Sequence, residues 1–329
     1  MIRAFIRESL QRRSILIVAG VGLVVAAVAP WHTYVEVREA QKAASLRALE
    51  ARDALENGFV CSSGICTRAE PNDPDAIIPK DPSDNPIYRD RIEARRRAET
   101  RLEALGSHLG RDLLGRNARI AGAGLGIAVA LLMASVLLAS DWSMGLWRSF
   151  ALQRRERWPI QTARIAATTV LTSGWVLAAI AVALIASFAY GKRVGVPTTL
   201  SFDRGILWAI LAVATTATYV ALASAVAVIS KNQLAPVVIL ALSVPLEILA
   251  ADKWAALRAI LPGQLTGSIV VTGSERNPGW PEPIMFEKIG GAAFGQLPPI
   301  ETSVAVLGLM AWALLGVGVA LVTASRRDL

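Results

Sequence analysis

Six apolar stretches constrain this chain more than any other feature. They are Ile15–Ala29, Ile120–Ala139, Ile165–Ala189, Ile206–Ile229, Leu234–Ala251 and Ser303–Ala324, and none has a lysine or arginine in its interior. A helix needs about 20 predominantly apolar residues to cross a bilayer core. Only structures that satisfy every backbone polar group internally can do so. The stretches are therefore expected as transmembrane helices over 14–31, 120–139, 165–190, 206–230, 233–251 and 302–324. Composition agrees. Of 329 residues 53% are hydrophobic and 18% charged, against roughly 25% charged in an ordinary soluble domain. One soluble core cannot hold that apolar pool, so the expected fold class is an all-α membrane protein. A disordered chain, a collagen-like chain and a small disulfide scaffold are excluded. The first stretch is short and follows arginines, as a signal peptide does. It ends at Pro30-Trp31-His32 rather than at a small-x-small cleavage site, which favours a retained helix.

Charge gives the orientation. Basic residues in short loops mark the cytoplasmic side. Arg3, Arg7, Arg12 and Arg13 precede the first stretch. Arg148, Arg154, Arg155, Arg157 and Arg164 follow the second, Lys231 lies between the fourth and fifth, and Arg326 and Arg327 close the chain. Six spans put all of these on one side, with both termini in the cytoplasm and the protein multi-pass in the cell membrane. By segment, that side carries the whole formal net charge of +8. The basicity therefore reads as an orientation signal, and no nucleic-acid partner is expected. Gly191–Gly205, with Lys192, Arg193 and Arg204, is a mild exception on the opposite side.

The 32–119 segment is the long extracytoplasmic loop of this topology. Val37, Ala40, Ala44, Ala48, Ala51, Leu55 and Phe59 recur every three or four residues, predicting a helix over Val35–Phe59. A second helical run covers Ile87–Leu114, with Ile92, Ala98, Leu102, Leu105, Leu109 and Leu113 on one face. Glu70–Pro86, rich in Pro, Asp and Asn, is a loop. Two amphipathic helices bury their stripes against each other, so an extracytoplasmic helical hairpin is expected. Two separate helices on the membrane surface are the alternative. Cys61 and Cys66 flank Ser-Ser-Gly-Ile at the tip. Outside the cytoplasm a disulfide is favoured over free thiols. A metal pair is disfavoured, because four ligands are wanted and no histidine is near.

The chain lacks the signatures of catalysis. It has no phosphate-cradling Gly-x-x-x-x-Gly-Lys-Ser/Thr, no His-Glu-x-x-His and no Gly-x-Ser-x-Gly. Its only histidines are His32 and His108. Gly122, Gly124 and Gly126 lie inside an apolar span, where small residues serve helix packing. Glu247 is the sole intramembrane acid among the spans. Intramembrane acids can mark ion pathways, but helix packing or snorkelling accounts for a single one more simply. No enzyme activity, cofactor or metal is expected in the chain itself.

Two cytoplasmic elements remain. In 1–13, Ile2, Phe5, Ile6 and Leu10 share a face opposite Arg3, Arg7 and Arg12, which predicts an interfacial helix on membrane lipids; a frayed basic tail is the alternative. In 140–164, the run Asp141-Trp142-Ser143-Met144-Gly145-Leu146-Trp147-Arg148 leads through Phe150 to Arg154 and Arg155. Physics alone reads this as an interfacial connector carrying topogenic arginines.

With these motifs in order, the chain resembles the permease subunits of ABC transporters of the ABC-2 type. The aromatic-Gly-polar run after span two, the arginines, Arg164 opening span three, the Lys231-Asn232 turn, Pro245-Leu246-Glu247, Leu261-Pro262-Gly263 and the terminal Arg326-Arg327-Asp328-Leu329 carry the likeness. Gly145-Leu146 stands where the family has Gly-Thr, Arg164 replaces a usual lysine, and the hairpin exceeds the family norm. The resemblance implies an exporter of a lipid-like, amphipathic or peptide substrate. It implies a second permease subunit, identical or different, and a separate cytoplasmic ABC ATPase that holds ATP and Mg. It also implies a coupling helix contacting that ATPase through Trp142, Gly145, Trp147, Arg148, Phe150, Arg154 and Arg155. The readings weighed against it are a non-transporting scaffold or sensor whose hairpin binds an extracytoplasmic partner, and a secondary transporter.

Overall fold

The structure, a computed structural model, describes residues 2–57, 59–62, 65–68, 77, 86–111, 113–121, 125–139, 158–195, 198, 200, 202, 205–232, 234–254, 257, 259–267, 300 and 302–326. Helix α1 (Ile2–Gln11) is amphipathic. At Arg12 the chain breaks, and the Arg12 carbonyl accepts from the Ile15 N–H at 3.0 Å to start α2 (Arg13–Asn57).

The sequence separates a span at 14–31 from a helix starting at Val35. The structure joins them into one 45-residue helix running through Pro30. Proline removes a backbone donor and crowds the preceding turn, so this continuity needs support from elsewhere. It comes from α6 (Trp158–Val194). The Tyr190 hydroxyl donates to the Ala27 carbonyl at 3.1 Å, inside the turn that Pro30 disturbs. The same ring packs edge-on against Trp31, with centroids 5.1 Å apart. At about 1.5 Å per residue α2 is roughly 68 Å long, more than twice a bilayer core of about 30 Å.

Helix α3 (Pro86–Arg111) lies along the second half of α2. Arg91 donates to the Glu50 carbonyl at 3.3 Å, while Leu102 packs on Tyr34, Val37 and Ala40. Numbers fall along α2 as they rise along α3, so the two are antiparallel. Of the stripe read from sequence, Val37, Ala40, Ala44 and Ala51 are buried. The helix stops at Asn57, short of Phe59, and a ribbon replaces its end. Strands β1 (Phe59–Ser62) and β2 (Ile65–Arg68) pair antiparallel with Cys61 opposite Cys66. Ile77 adds a bridge by exchanging two backbone hydrogen bonds with Phe59, at 2.8 and 3.1 Å. Apart from Ile77 and Pro86, the expected loop Glu70–Pro86 lies outside the described residues.

The expected span 120–139 is described as α5 (Gly126–Ala134) closing in a π-helical turn, Ser135–Ala139, after the short α4 (Leu113–Ile120). The remaining long helices are α7 (Gly205–Ser230), α8 (Ala235–Lys253) and α10 (Thr302–Arg326); residues 262–267 form the short α9. Helices α2, α6, α7 and α10 contain segments long and apolar enough to cross a membrane.

Directions alternate. Helix α6 runs parallel to α2, with the Trp175 indole donating to the Ala19 carbonyl at 3.0 Å. Helix α7 starts with Gly205 against Leu114 of α4 and ends with Val228 among Ile160, Ile165, Ala320 and Ala324. Lys231, with φ of 53°, takes the left-handed conformation that ends α7. The Asn232 side chain then accepts from the Leu234 N–H at 2.9 Å, and α8 turns back. Helix α10 is parallel to α7. A Cβ on Gly316 would sit 2.8 Å from Ala221 backbone, a crossing that only a residue without a side chain permits. Of the four helices long enough to span, α7 is the most enclosed, and Thr216, Thr218 and Ser224 each donate to a carbonyl one turn back, Thr216 to Ala212 at 2.8 Å.

Candidate functional site

Two polar clusters interrupt the apolar bundle. The first lies at the end carrying α1, where the 140–157 connection leaves and returns. The last carbonyls of a helix have no N–H ahead of them to bind. Here that demand falls on the π-helical turn closing α5. Arg164, one and a half turns into α6, is 3% exposed and donates through Nη2 to the Leu137 carbonyl at 3.0 Å. Arg12, at the α1–α2 junction, donates through Nη1 to the Val136 carbonyl at 3.3 Å. Cations at a helix C-terminus meet the negative end of its dipole, which strengthens both contacts. The Arg164 guanidinium also lies 5.6 Å from the centre of the Phe5 ring, a cation–π distance. The α1–α2 junction and α6 thus converge on two consecutive carbonyls of one turn, and α1 packs Phe5 against the guanidinium that holds one of them. Gln161, one turn before Arg164, is buried beside Ile160 in the sequence. Among the described residues neither polar atom of its side-chain amide finds a partner.

The sequence singles out Arg164 as an orientation charge and as the basic residue opening span three, and Arg12 as an orientation charge on the polar face of the interfacial helix. The sequence does not show their shared acceptor turn, because a π-helical turn leaves no mark in residue pattern. Trp142, Gly145, Trp147, Arg148, Phe150, Arg154 and Arg155 lie outside the described residues.

The second cluster surrounds Glu247, six residues before the end of α8. The sequence reads 252–301 as one extracytoplasmic loop. The structure instead folds its first part back: Leu257 and Ile260 close tight turns, and α9 follows at 262–267. Glu247 is buried, and its Oε2 accepts from the Gly263 N–H at 2.6 Å. The Gln264 N–H and the Ser243 hydroxyl also reach the carboxyl group. Pro245-Leu246-Glu247 and Leu261-Pro262-Gly263, separate motifs in the sequence, are therefore one structural unit. This supports a packing role for the acid.

Cys61 and Cys66 form a disulfide within the ribbon, with Cα atoms 4.0 Å apart. Among the described residues no group of three or more His, Cys, Asp and Glu side chains could hold a metal ion.

The chain matches no known family model, no curated protein and no solved structure.

Proposed function

We propose that this chain is the permease subunit of an ATP-driven transporter of the ABC-2 type. In this reading it exports a lipid-like, amphipathic or peptide substrate and is powered by a separate cytoplasmic ATPase. The observation that carries the proposal is the tie between Arg164 and the Leu137 carbonyl. A coupling element must push on helices without bending at its own base. Here the two roots of the 140–157 connection, Leu137 before it and Arg164 after it, are hydrogen-bonded to each other, and Arg12 fixes the same turn. Force applied to the connection is delivered to α2, α5 and α6 together.

The proposal takes six membrane-crossing helices, with α5 and α8 joining the four long ones. Both termini and the arginine-rich connection are cytoplasmic. The second half of α2, antiparallel to α3, and the disulfide-closed ribbon stand outside the membrane, where they present a surface to an extracytoplasmic partner. Helix α1 lies at the lipid headgroups, with Arg3 and Arg7 exposed. A second permease subunit, identical or different, completes the translocation unit, and ATP and Mg reside in the ATPase.

The test is co-expression with the phosphate-loop ATPase encoded nearest to the chain, followed by purification and reconstitution. A stoichiometric complex with nucleotide-dependent transport is expected. Transport driven by an ion gradient without nucleotide overturns the proposal.

A further inference from the structure

Beyond α8 the chain turns back, and residues 262–267 enter the helix bundle while Ile260 before them stays exposed. Three contacts from three helices hold them there. From α10, the Trp312 indole donates to the Ile260 carbonyl at 2.6 Å. From α7 and α10 together, Leu211, Ala305 and Leu309 enclose Leu265, which is fully buried. A Cβ on Gly308 would meet Leu265 Cδ1 at 2.6 Å, so that glycine is what makes room for the leucine. From α8, Glu247 binds the N-terminus of α9. Leu211 and Leu309 are six and seven residues into their helices, so at about 1.5 Å per residue Leu265 sits roughly 9–11 Å below the helix ends. Thr266 lies beside the phenol of Tyr219, further along α7.

The chemistry at Glu247 shows which contact matters most. The first N–H groups of a helix have no intrahelical acceptor. Pro262 removes one of them harmlessly, as proline does at a first helical position. Leu261, which precedes it, has no side-chain oxygen and cannot cap the others. Exposed, those donors would bind water; buried, each uncapped one bears the full desolvation cost of an unmade hydrogen bond. Glu247 supplies the missing oxygen from another helix, sixteen residues back along the chain. The fit is close enough to dictate its partner, since a Cβ on Gly263 would stand 2.5 Å from Glu247 Oε2.

We propose that Glu247 is the latch of a re-entrant strap, its carboxyl oxygen capping α9 and so holding residues 262–267 inside the bundle with Leu265 seated between α7 and α10. The role is one of geometry, an acceptor at the right reach, and it stands whether or not the chain transports anything.

The test is hydrogen–deuterium exchange of the full-length protein in lipid nanodiscs, read on peptides covering 257–267 and, as a control, on α6. Glu247→Gln keeps an acceptor oxygen at the same reach, and exchange within about threefold of wild type is expected. Glu247→Asp keeps the acid but shortens the arm, and Glu247→Ala removes it. Both are expected to speed exchange of 257–267 by at least about tenfold, the factor such a hydrogen bond supplies, while α6 stays protected. Gln behaving like Ala while Asp behaves like wild type would reveal a charge or proton role and overturn the latch. Wild-type protection in both the Asp and Ala variants overturns it equally. If Ala exposes α6 as well, Asp against Gln decides alone.

Discussion

Arg164 Nη2 stands 3.0 Å from the Leu137 carbonyl and so closes the two ends of the 140–157 connection on each other. Replacing Arg164 with Met removes the donor and leaves the carbonyl buried. A hydrogen bond involving a charged group contributes about 1.5–3 kcal/mol, so a loss of that order is expected in thermal unfolding of the purified protein. Arg164→Lys keeps a cation but loses the planar group facing Phe5, and its loss should be smaller. An unchanged melting temperature in the Met variant contradicts the assignment.

Gln161 offers the opposite experiment. Its side-chain amide is buried without a partner among the described residues, which costs about 1–3 kcal/mol. Gln161→Met keeps the shape and removes the polar atoms. The variant should melt at a higher temperature than wild type, and a lower one would mean that the amide has a partner in the assembled protein.

Two glycines one turn-half apart on α2 make a matched pair. A Cβ on Gly22 would meet Trp175 Cζ2 at 2.5 Å, whereas nothing lies within 4 Å of one on Gly20. Trp175 cannot easily yield, because its indole is tied to the Ala19 carbonyl. Gly22→Ala should therefore destabilise by about 1–3 kcal/mol, as overpacking does. Gly20→Ala should stabilise by up to about 1 kcal/mol through helix propensity. Equal effects of the two substitutions would contradict the packing of α2 on α6.

The Cys61–Cys66 bridge joins directly opposed residues of one ribbon, five apart in sequence. A loop that short confines little of the unfolded chain. Both thiols should resist maleimide until reduced, and Cys61→Ser with Cys66→Ser should leave bundle unfolding within about 1 kcal/mol of wild type. Labelling without reductant would refute the pairing.

What was legible in the sequence was what repeats locally. Apolar runs located the long helices, and the alanine spacing from Val37 to Ala51 located the face of α2 that is buried. The sequence misleads where the cause is remote. Pro30 looks like a helix end because its rescue by Tyr190 comes from 160 residues away. The ribbon at Phe59–Arg68 escapes the sequence because four-residue strands are too short to show a period. The return of 262–267 leaves no mark in the sequence because Gln264 and Thr266 are polar, and Glu247, which caps their segment, belongs to another helix. Glu247 itself was noticed for its charge, while its structural meaning depended on a glycine in a different motif.

The central claim is that the 140–157 connection transmits the work of an ATPase, and one measurement addresses it most directly. Wild type and a Trp147→Ala, Arg154→Ala double variant would be reconstituted with the partner ATPase in proteoliposomes, and ATP hydrolysis and nucleotide-dependent substrate movement recorded on the same vesicles. The account predicts that the intact wild-type complex couples the two and that the double variant loses at least about tenfold of the transport per ATP, the equivalent of about 1.4 kcal/mol. A double variant that assembles with the ATPase and transports as wild type does would contradict it.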